Sequence, residues 1–380
     1  MKFTIKRNSF LNSLGDVQRA ISGKTTIPIL TGVKIVASEE GLTLTGSDSD
    51  ISIESFITTG DDNADLTIER AGAIVLPARF FSEIVKKLPE DTMDIEVGMN
   101  FQTTIKSGSA SYNLNGLDAN SYPHLPVIDT QESFTLPTKL LKQVISQTVI
   151  AVSTHETRPI LTGINMVISE GKLFAVATDS HRLSQRVVPL AMDMIDGDKT
   201  YNVVIPGKSL VELSRTIDED VDSVEMMITE NQVLFKTENM LFYSRLLEGH
   251  YPDTSRLIPD SASTEITFQA GTLLAAIDRA SLLSHEGKNN VVKVAITPER
   301  VEISGNTPEV GNVKEDIAYV AVSGEPLEIS FNPDYMKDAL RTFAGAEIKV
   351  KFTTAVRPFI IVPTEDDQTF VQLITPVRTY

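Results

Sequence analysis

The first residues alternate in polarity, Met1-Lys2-Phe3-Thr4-Ile5, as a strand with one buried face does. A helical run, Phe10–Ala20, follows at once. The same opening recurs twice: Phe134-Thr135-Leu136 precedes Lys139–Ile150, and Ile266-Thr267-Phe268 precedes Leu273–Leu283. Midway through each third of the chain a strand stops at Pro or Asn and a second helix starts. These are Val75-Leu76-Pro77 into Arg79–Leu88, Val204-Ile205-Pro206 into Lys208–Ile217, and Ile329-Ser330-Phe331-Asn332-Pro333 into Tyr335–Phe343. Proline at the first helical position is a start signal, because the N–H it lacks would have no partner there. Alternating runs such as Asp94–Val97, Ser223–Ile228 and Glu347–Phe352 then read as strands.

A literal repeat accompanies the patterned one. Ile27-Pro28-Ile29-Leu30-Thr31-Gly32-Val33 returns as Arg158-Pro159-Ile160-Leu161-Thr162-Gly163-Ile164, an offset of 131 residues between the prolines. Asn290–Ile296 before Arg300–Gly305 is a weaker third copy. Tyr122-Pro123 and Tyr251-Pro252 mark turns near the ends of two units, which places boundaries at 1–127, 128–254 and 255–380. Each unit holds two helices and many short, mostly antiparallel strands, an α+β organisation. Repeated units of this kind stack with a common surface.

Composition sharpens the picture only in part. A chain of 380 residues, 41% of them apolar, is long enough for several cores. No run approaches the ~20 apolar residues of a membrane span, and the first residues lack the apolar stretch of a signal peptide. There is no Cys, hence no disulfide framework or thiolate metal site, which fits a reducing cytoplasm.

The net charge of −17 argues against nucleic acid until the charges are located. The first four helical segments are net positive. They carry Arg19 and Lys24 against Asp16; Arg79, Lys86 and Lys87 against Glu83; Lys139 and Lys142 with no acid; and Lys208 and Arg215 against Glu212. The last two balance, Arg279 with Asp278, and Lys337 and Arg341 with Asp334 and Asp338. Positive helices on an acidic body suit a protein that holds a polyanion on one face. Equally, Lys and Arg are good solvated helix residues. No base-reading motif is present, and aromatics are 6% of the chain.

Three functions of different kinds remain: a DNA-holding protein, a protein-only repeat scaffold, and a hydrolase built on Asp179 and His181. A metal site needs three or four ligands, yet the chain has five His and no H-x-x-x-H spacing. It has no G-x-S-x-G and no phosphate-cradling glycine loop. No cofactor, metal or catalytic residue is therefore expected.

Met1-Lys2-Phe3-Thr4-Ile5, Pro28-Ile29-Leu30, Thr45-Gly46-Ser47-Asp48, Ala177-Thr178-Asp179-Ser180-His181-Arg182-Leu183 and Pro376-Val377-Arg378 together are similar to bacterial DNA polymerase sliding clamps, the polymerase III beta subunits. The likeness covers the whole chain. It implies three clamp domains with helices inside and antiparallel sheets outside, and two chains joined head to tail as a ring. Twelve helices at ~10 Å each would enclose a hole of ~38 Å, wide enough for duplex DNA of roughly 20 Å and a water layer. The family function would be that of a processivity factor without catalysis of its own. Its partners would be duplex DNA of any sequence, a second copy, the polymerase III alpha subunit, the clamp loader, and other polymerases and repair proteins bearing short clamp-binding peptides, with no membrane.

The resemblance also distributes roles. Lys24 matches a basic loop position that touches DNA, and Lys208 and Arg215 match basic positions. Helix placement adds Arg79, Lys86, Lys139, Lys142, Arg279, Lys337 and Arg341 as DNA-facing candidates. A peptide pocket would comprise Leu161, Thr178, Ser180, His181, Arg182, Leu183, Pro252, Arg256, Leu257, Leu373, Thr375, Pro376 and Arg378, suited to a peptide ending in Leu and Phe. Ser180 and Thr375 depart from the family pattern, which often has Gly and a larger apolar residue there. The ring interface would set Tyr112 and Leu114, on one face of an edge strand, against Leu282 and Leu283 at a helix end.

Overall fold

The computed structural model describes residues 1–125, 127–128, 133–191, 200–284, 290–308, 310–365 and 369–378. Among these are six α-helices: α1 (Arg7–Gln18), α2 (Ala78–Lys86), α3 (Thr138–Thr148), α4 (Gly207–Thr216), α5 (Ala270–Ser284) and α6 (Pro333–Arg341). Each overlaps a helix the sequence pattern predicts. None is long and apolar enough to cross a membrane. The proline signal works differently in the three second helices. Only Pro333 takes the first helical position, behind Asn332, whose side chain accepts the Asp334 N–H at 2.8 Å. Pro77 and Pro206 instead end the incoming strands; at Pro77 a φ of −62° with an extended ψ of 107° holds the helix start to Ala78.

The P-I-L-T-G repeat forms the same object twice. Pro28–Thr31 and Pro159–Thr162 are 3₁₀ turns, closed by Thr31 Oγ1 donating to the Pro28 carbonyl at 2.8 Å and Thr162 Oγ1 to Pro159 at 2.7 Å. The glycine opens the following strand. A Cβ on Gly32 would stand 2.5 Å from Val75 Cγ1, and one on Gly163 would stand 2.7 Å from Val204 Cγ1 and 2.8 Å from the Ile205 carbonyl. Its absence lets this strand lie against the one that feeds the second helix.

Contacts divide the chain into two compact units. The first comprises Met1–Leu140 and Lys208–Leu246, the second Leu141–Gly207 and Leu247–Tyr380, so the middle repeat contributes to both. Every strand pairing among the described residues is antiparallel. The first unit holds a five-stranded and an eight-stranded sheet. Ile51–Thr58 of the first repeat pairs with Met240–Arg245 of the middle one, from Ser55 opposite Met240 to Ile51 opposite Ser244. Beneath them Phe3, Phe10 and Phe81 are fully buried, with Phe10 and Phe81 edge to face at 5.7 Å.

The second unit holds a nine-stranded and a four-stranded sheet. Its corresponding seam pairs Arg182–Pro189 of the middle repeat with Phe370–Ile374 of the last. Its core gathers Phe331, Phe352 and Phe359 under α5 and α6.

In the first unit an acidic recess of about 650 Å³ lies between α1 and the segment after α4, lined by Asp16, Asp61, Asp218, Asp220, Asp222 and Glu238 among others. Burial, reinforced by the Asp218 carboxylate and opposed by Arg19, pushes the Asp16 carboxyl up to about 7. An unfolded Asp loses its proton near ~4, so between these values the fold binds the proton that the open chain has released. Stability is full below that window and falls as pH rises through it. Asp16→Asn should flatten this slope and leave the variant more stable than the parent at pH 8. Urea melts at pH 5 and pH 8 check both expectations.

Candidate peptide pocket and DNA-facing surface

The pocket predicted from sequence lies wholly within the second unit and is built on its seam. Thr178 and Leu183 are partners across a tight hairpin, and Leu183 is in turn opposite Leu373. Leu183 and Leu373 belong to a buried cluster with Val176, Ile360, Val362 and Val371, against which Phe174, Tyr251 and Ile258 pack. This gives the site an apolar floor, the part that would receive apolar side chains.

The hairpin above the floor is held by its own side chains. Asp179 Oδ1 accepts the N–H groups of His181 at 2.9 Å and Arg182 at 3.0 Å. Thr178 Oγ1 donates to the Arg182 carbonyl at 2.7 Å and accepts the Ser180 N–H at 3.2 Å. Ser180 takes a positive φ of 79°, a conformation in which glycine meets no Cβ clash. Tyr251 anchors the hairpin from beneath: burial pushes its phenol up to about 12, and the neutral hydroxyl accepts the Thr178 N–H at 2.9 Å.

Arg182 is only 14% exposed at its side chain and is paired with two carboxylates. Its Nε donates to Asp179 Oδ2 at 3.1 Å and its Nη1 to Asp338 Oδ2 at 2.8 Å, while the guanidinium lies 4.5 Å from the centre of the Tyr335 ring. The His181 ring stacks against the same tyrosine at 6.4 Å. Arg182 therefore presents a flat, neutralised wall rather than a free charge. Asp179 is committed to this scaffold by both oxygens, and among the described residues the His181 ring makes no hydrogen bond to it. Among the described residues no cluster of three or more His, Asp or Glu side chains is close enough to hold a metal ion.

The other predicted pocket residues surround this frame. Thr375 is tied to the hairpin by its N–H to the His181 carbonyl at 2.9 Å, and Pro376 is half-buried beside it in sequence, with Arg378 exposed. Pro252, Arg256 and Leu257 are exposed on a segment folded by Asp253, which accepts the Ser255 N–H at 3.0 Å. Leu161 is buried in the 3₁₀ turn after Arg158, whose guanidinium donates to Ser180 Oγ at 3.4 Å. Sequence reasoning missed Tyr335, Asp338 and Tyr251 as members of this site. The Tyr251-Pro252 turn was visible, but only as punctuation. Nothing local marks Tyr335 or Asp338, which reach the hairpin from α6.

Of the predicted DNA-facing residues, Lys24, Arg79, Lys86, Lys139, Lys208, Arg215, Arg279 and Arg341 are exposed and Lys142 is half-exposed. Four are neutralised locally: Lys86 by Glu83 at 3.3 Å, Arg215 by Glu212 at 3.0 Å, Arg341 by Asp338 at 3.3 Å, and Arg279 by a two-pronged pairing with Glu315. Lys24, Arg79, Lys139, Lys142 and Lys208 have no ion-pair partner among the described residues. Lys337 corrects the expectation. It is 8% exposed, wedged between α5 and α6 with its ammonium 3.1 Å from Asp334, 3.6 Å from Asp278 and 3.1 Å from the Ser281 hydroxyl. A buried, doubly paired ammonium is structural and leaves the DNA-facing set.

The predicted interface residues are placed as follows. Tyr112 is 38% exposed and Leu114 half-buried on Ala110–Asn115, the outer strand of the five-stranded sheet. In the second unit Leu282 is 70% exposed near the end of α5 and Leu283 is half-buried, its carbonyl accepting from Thr307.

Three family models match in succession: the N-terminal domain of the DNA polymerase III beta subunit over residues 1–126, its central domain over 135–253 and its C-terminal domain over 255–378. The beta sliding clamp of Bacillus subtilis (strain 168) is 57% identical over the full length of both chains. The crystal structure of the B. subtilis DNA polymerase sliding clamp superposes over the whole of both chains with a TM-score of 0.95. A sliding clamp from Pseudomonas aeruginosa bound to griselimycin does so with a TM-score of 0.90 at 26% identity. The chain belongs to the beta sliding clamp family, the non-catalytic processivity subunit of DNA polymerase III.

Proposed function

We propose that two copies of this chain close into a cytoplasmic ring around duplex DNA, with domains at 1–127, 128–254 and 255–380. The observation that carries this reading is positive charge with no ion-pair partner among the described residues, on helical segments and an adjoining loop at Lys24, Arg79, Lys139, Lys142 and Lys208, in a chain of net charge −17. Long-range attraction through a water layer holds a duplex without reading its sequence, and phosphate contacts of this kind weaken with salt. Linkage, rather than affinity, then keeps the ring in place.

The hairpin site at Thr178–Leu183 receives short peptides from the polymerase III alpha subunit, the clamp loader and other polymerases and repair proteins. Its aliphatic floor accepts the apolar side chains at the end of the peptide, the aromatic one included, and the wall of Arg182, His181 and Tyr335 flanks the residues before them. Tyr112 and Leu114 of one copy meet Leu282 and Leu283 of the other.

Three measurements test these statements. After incubation with an active clamp loader and ATP and a wash in high salt, the protein should remain on nicked circular DNA and leave the same DNA once linearised. Equal loss from both refutes encirclement. Leu282→Asp places a charge on an exposed site without touching the core and should give monomers at micromolar concentration; sedimentation as a dimer removes Leu282 from the interface. Ser180→Gly relieves a left-handed backbone worth roughly 1 kcal/mol and should raise the melting temperature by a few degrees, read by calorimetry.

A further inference from the structure

One face of the nine-stranded sheet continues beyond the peptide site. Leu183, Leu373 and Ile360 are successive cross-strand partners, and Lys351 and Glu265 extend that row. Two residues along, Val176, Gln185 and Val371 form the next row on the same face. The segment 258–262 lies over this face and walls one side of a recess of about 330 Å³, floored by Ile360, Val362 and Val371 and rimmed by Gln185, Glu265 and Lys351. The cavity and the peptide site therefore share one floor, the cluster that contains both Leu183 and Leu373 and both Val362 and Val371.

Ile258 is the half-buried side chain of the crossing segment that packs onto that cluster, and it also lines the cavity. It follows directly on Leu257, a predicted member of the peptide pocket. We infer that Ile258 is a partition: it divides one continuous groove into the peptide pocket and a neighbouring recess, and so fixes the size of the apolar side chain that the pocket accepts. The inference rests on the peptide reading above. Without the partition, the side chain at the end of the peptide would extend from the Leu183–Leu373 floor over Ile360 and Val362. An indole suits that path, since its body meets aliphatic carbon and its N–H reaches a rim that holds the Gln185 amide and the Glu265 carboxylate.

The test uses the full chain and two fluorescein-labelled peptides that differ only in ending Leu-Phe or Leu-Trp, with dissociation constants from anisotropy. The parent should prefer Phe. In Ile258→Ala the ratio of the Trp to the Phe constant should fall about tenfold, the scale on which a hydrophobic pocket discriminates by size. Ile258→Val, a milder change at the same site, should shift the ratio in the same direction by less. Ala262→Leu added to Ile258→Ala refills the recess from the far end of the same segment and should restore the parental ratio. An unchanged ratio in both folded single variants, with the parent binding the Leu-Phe peptide, overturns the partition alone. Failure of the parent to bind either peptide overturns the peptide site and the partition together.

Discussion

An antiparallel sheet ends on each side in a row of unpaired N–H and C=O groups, and three repeats standing apart would expose many such rows. Here the middle repeat satisfies one edge of each neighbour, through Met240–Arg245 against Ile51–Thr58 and through Arg182–Pro189 against Phe370–Ile374. These two ladders are why three similar lengths of sequence condense into two compact units, with the middle repeat shared. The second also builds the floor of the site proposed to take peptides. Leu183 and Leu373 lie far apart along the chain, and the second ladder makes them direct neighbours with their side chains on one face.

The frame of the fold was legible in the sequence because its signals are local. Strand alternation, helix starts after Pro or Asn, and the doubled P-I-L-T-G each depend on a few adjacent residues. The reason for the repeated glycine emerged only with the fold: at Gly32 and Gly163 it is the neighbouring strand, and not an unusual backbone angle, that excludes a side chain. Ser180 is the opposite case. There the backbone angle itself favours glycine, so the departure from the family pattern acquires a physical meaning.

What the sequence withheld was partnership at a distance. Lys337 reads like any helix lysine until α5 brings Asp278 and Ser281 beside it. Arg279 and Arg341 are as basic as Arg79, yet carboxylates cancel them, while Arg79 meets none among the described residues. The Asp179 and His181 spacing suggests chemistry, while the hydrogen bonds show an aspartate spent on shaping a turn. In each case composition counts charges correctly and says nothing about which remain available.

The seam between Arg182–Pro189 and Phe370–Ile374 also has a mechanical side. Peeled from one end, such a ladder yields one pair at a time; pulled along the strands, its bonds resist together, and load passes into all nine strands of the sheet. Each of the two seams is in this way a stiff joint inside its own compact unit. The hairpin Thr178–Leu183 stands on that seam, so its apolar floor keeps its shape under load: Leu183 and Leu373 part only when neighbouring bonds of the ladder give way with them.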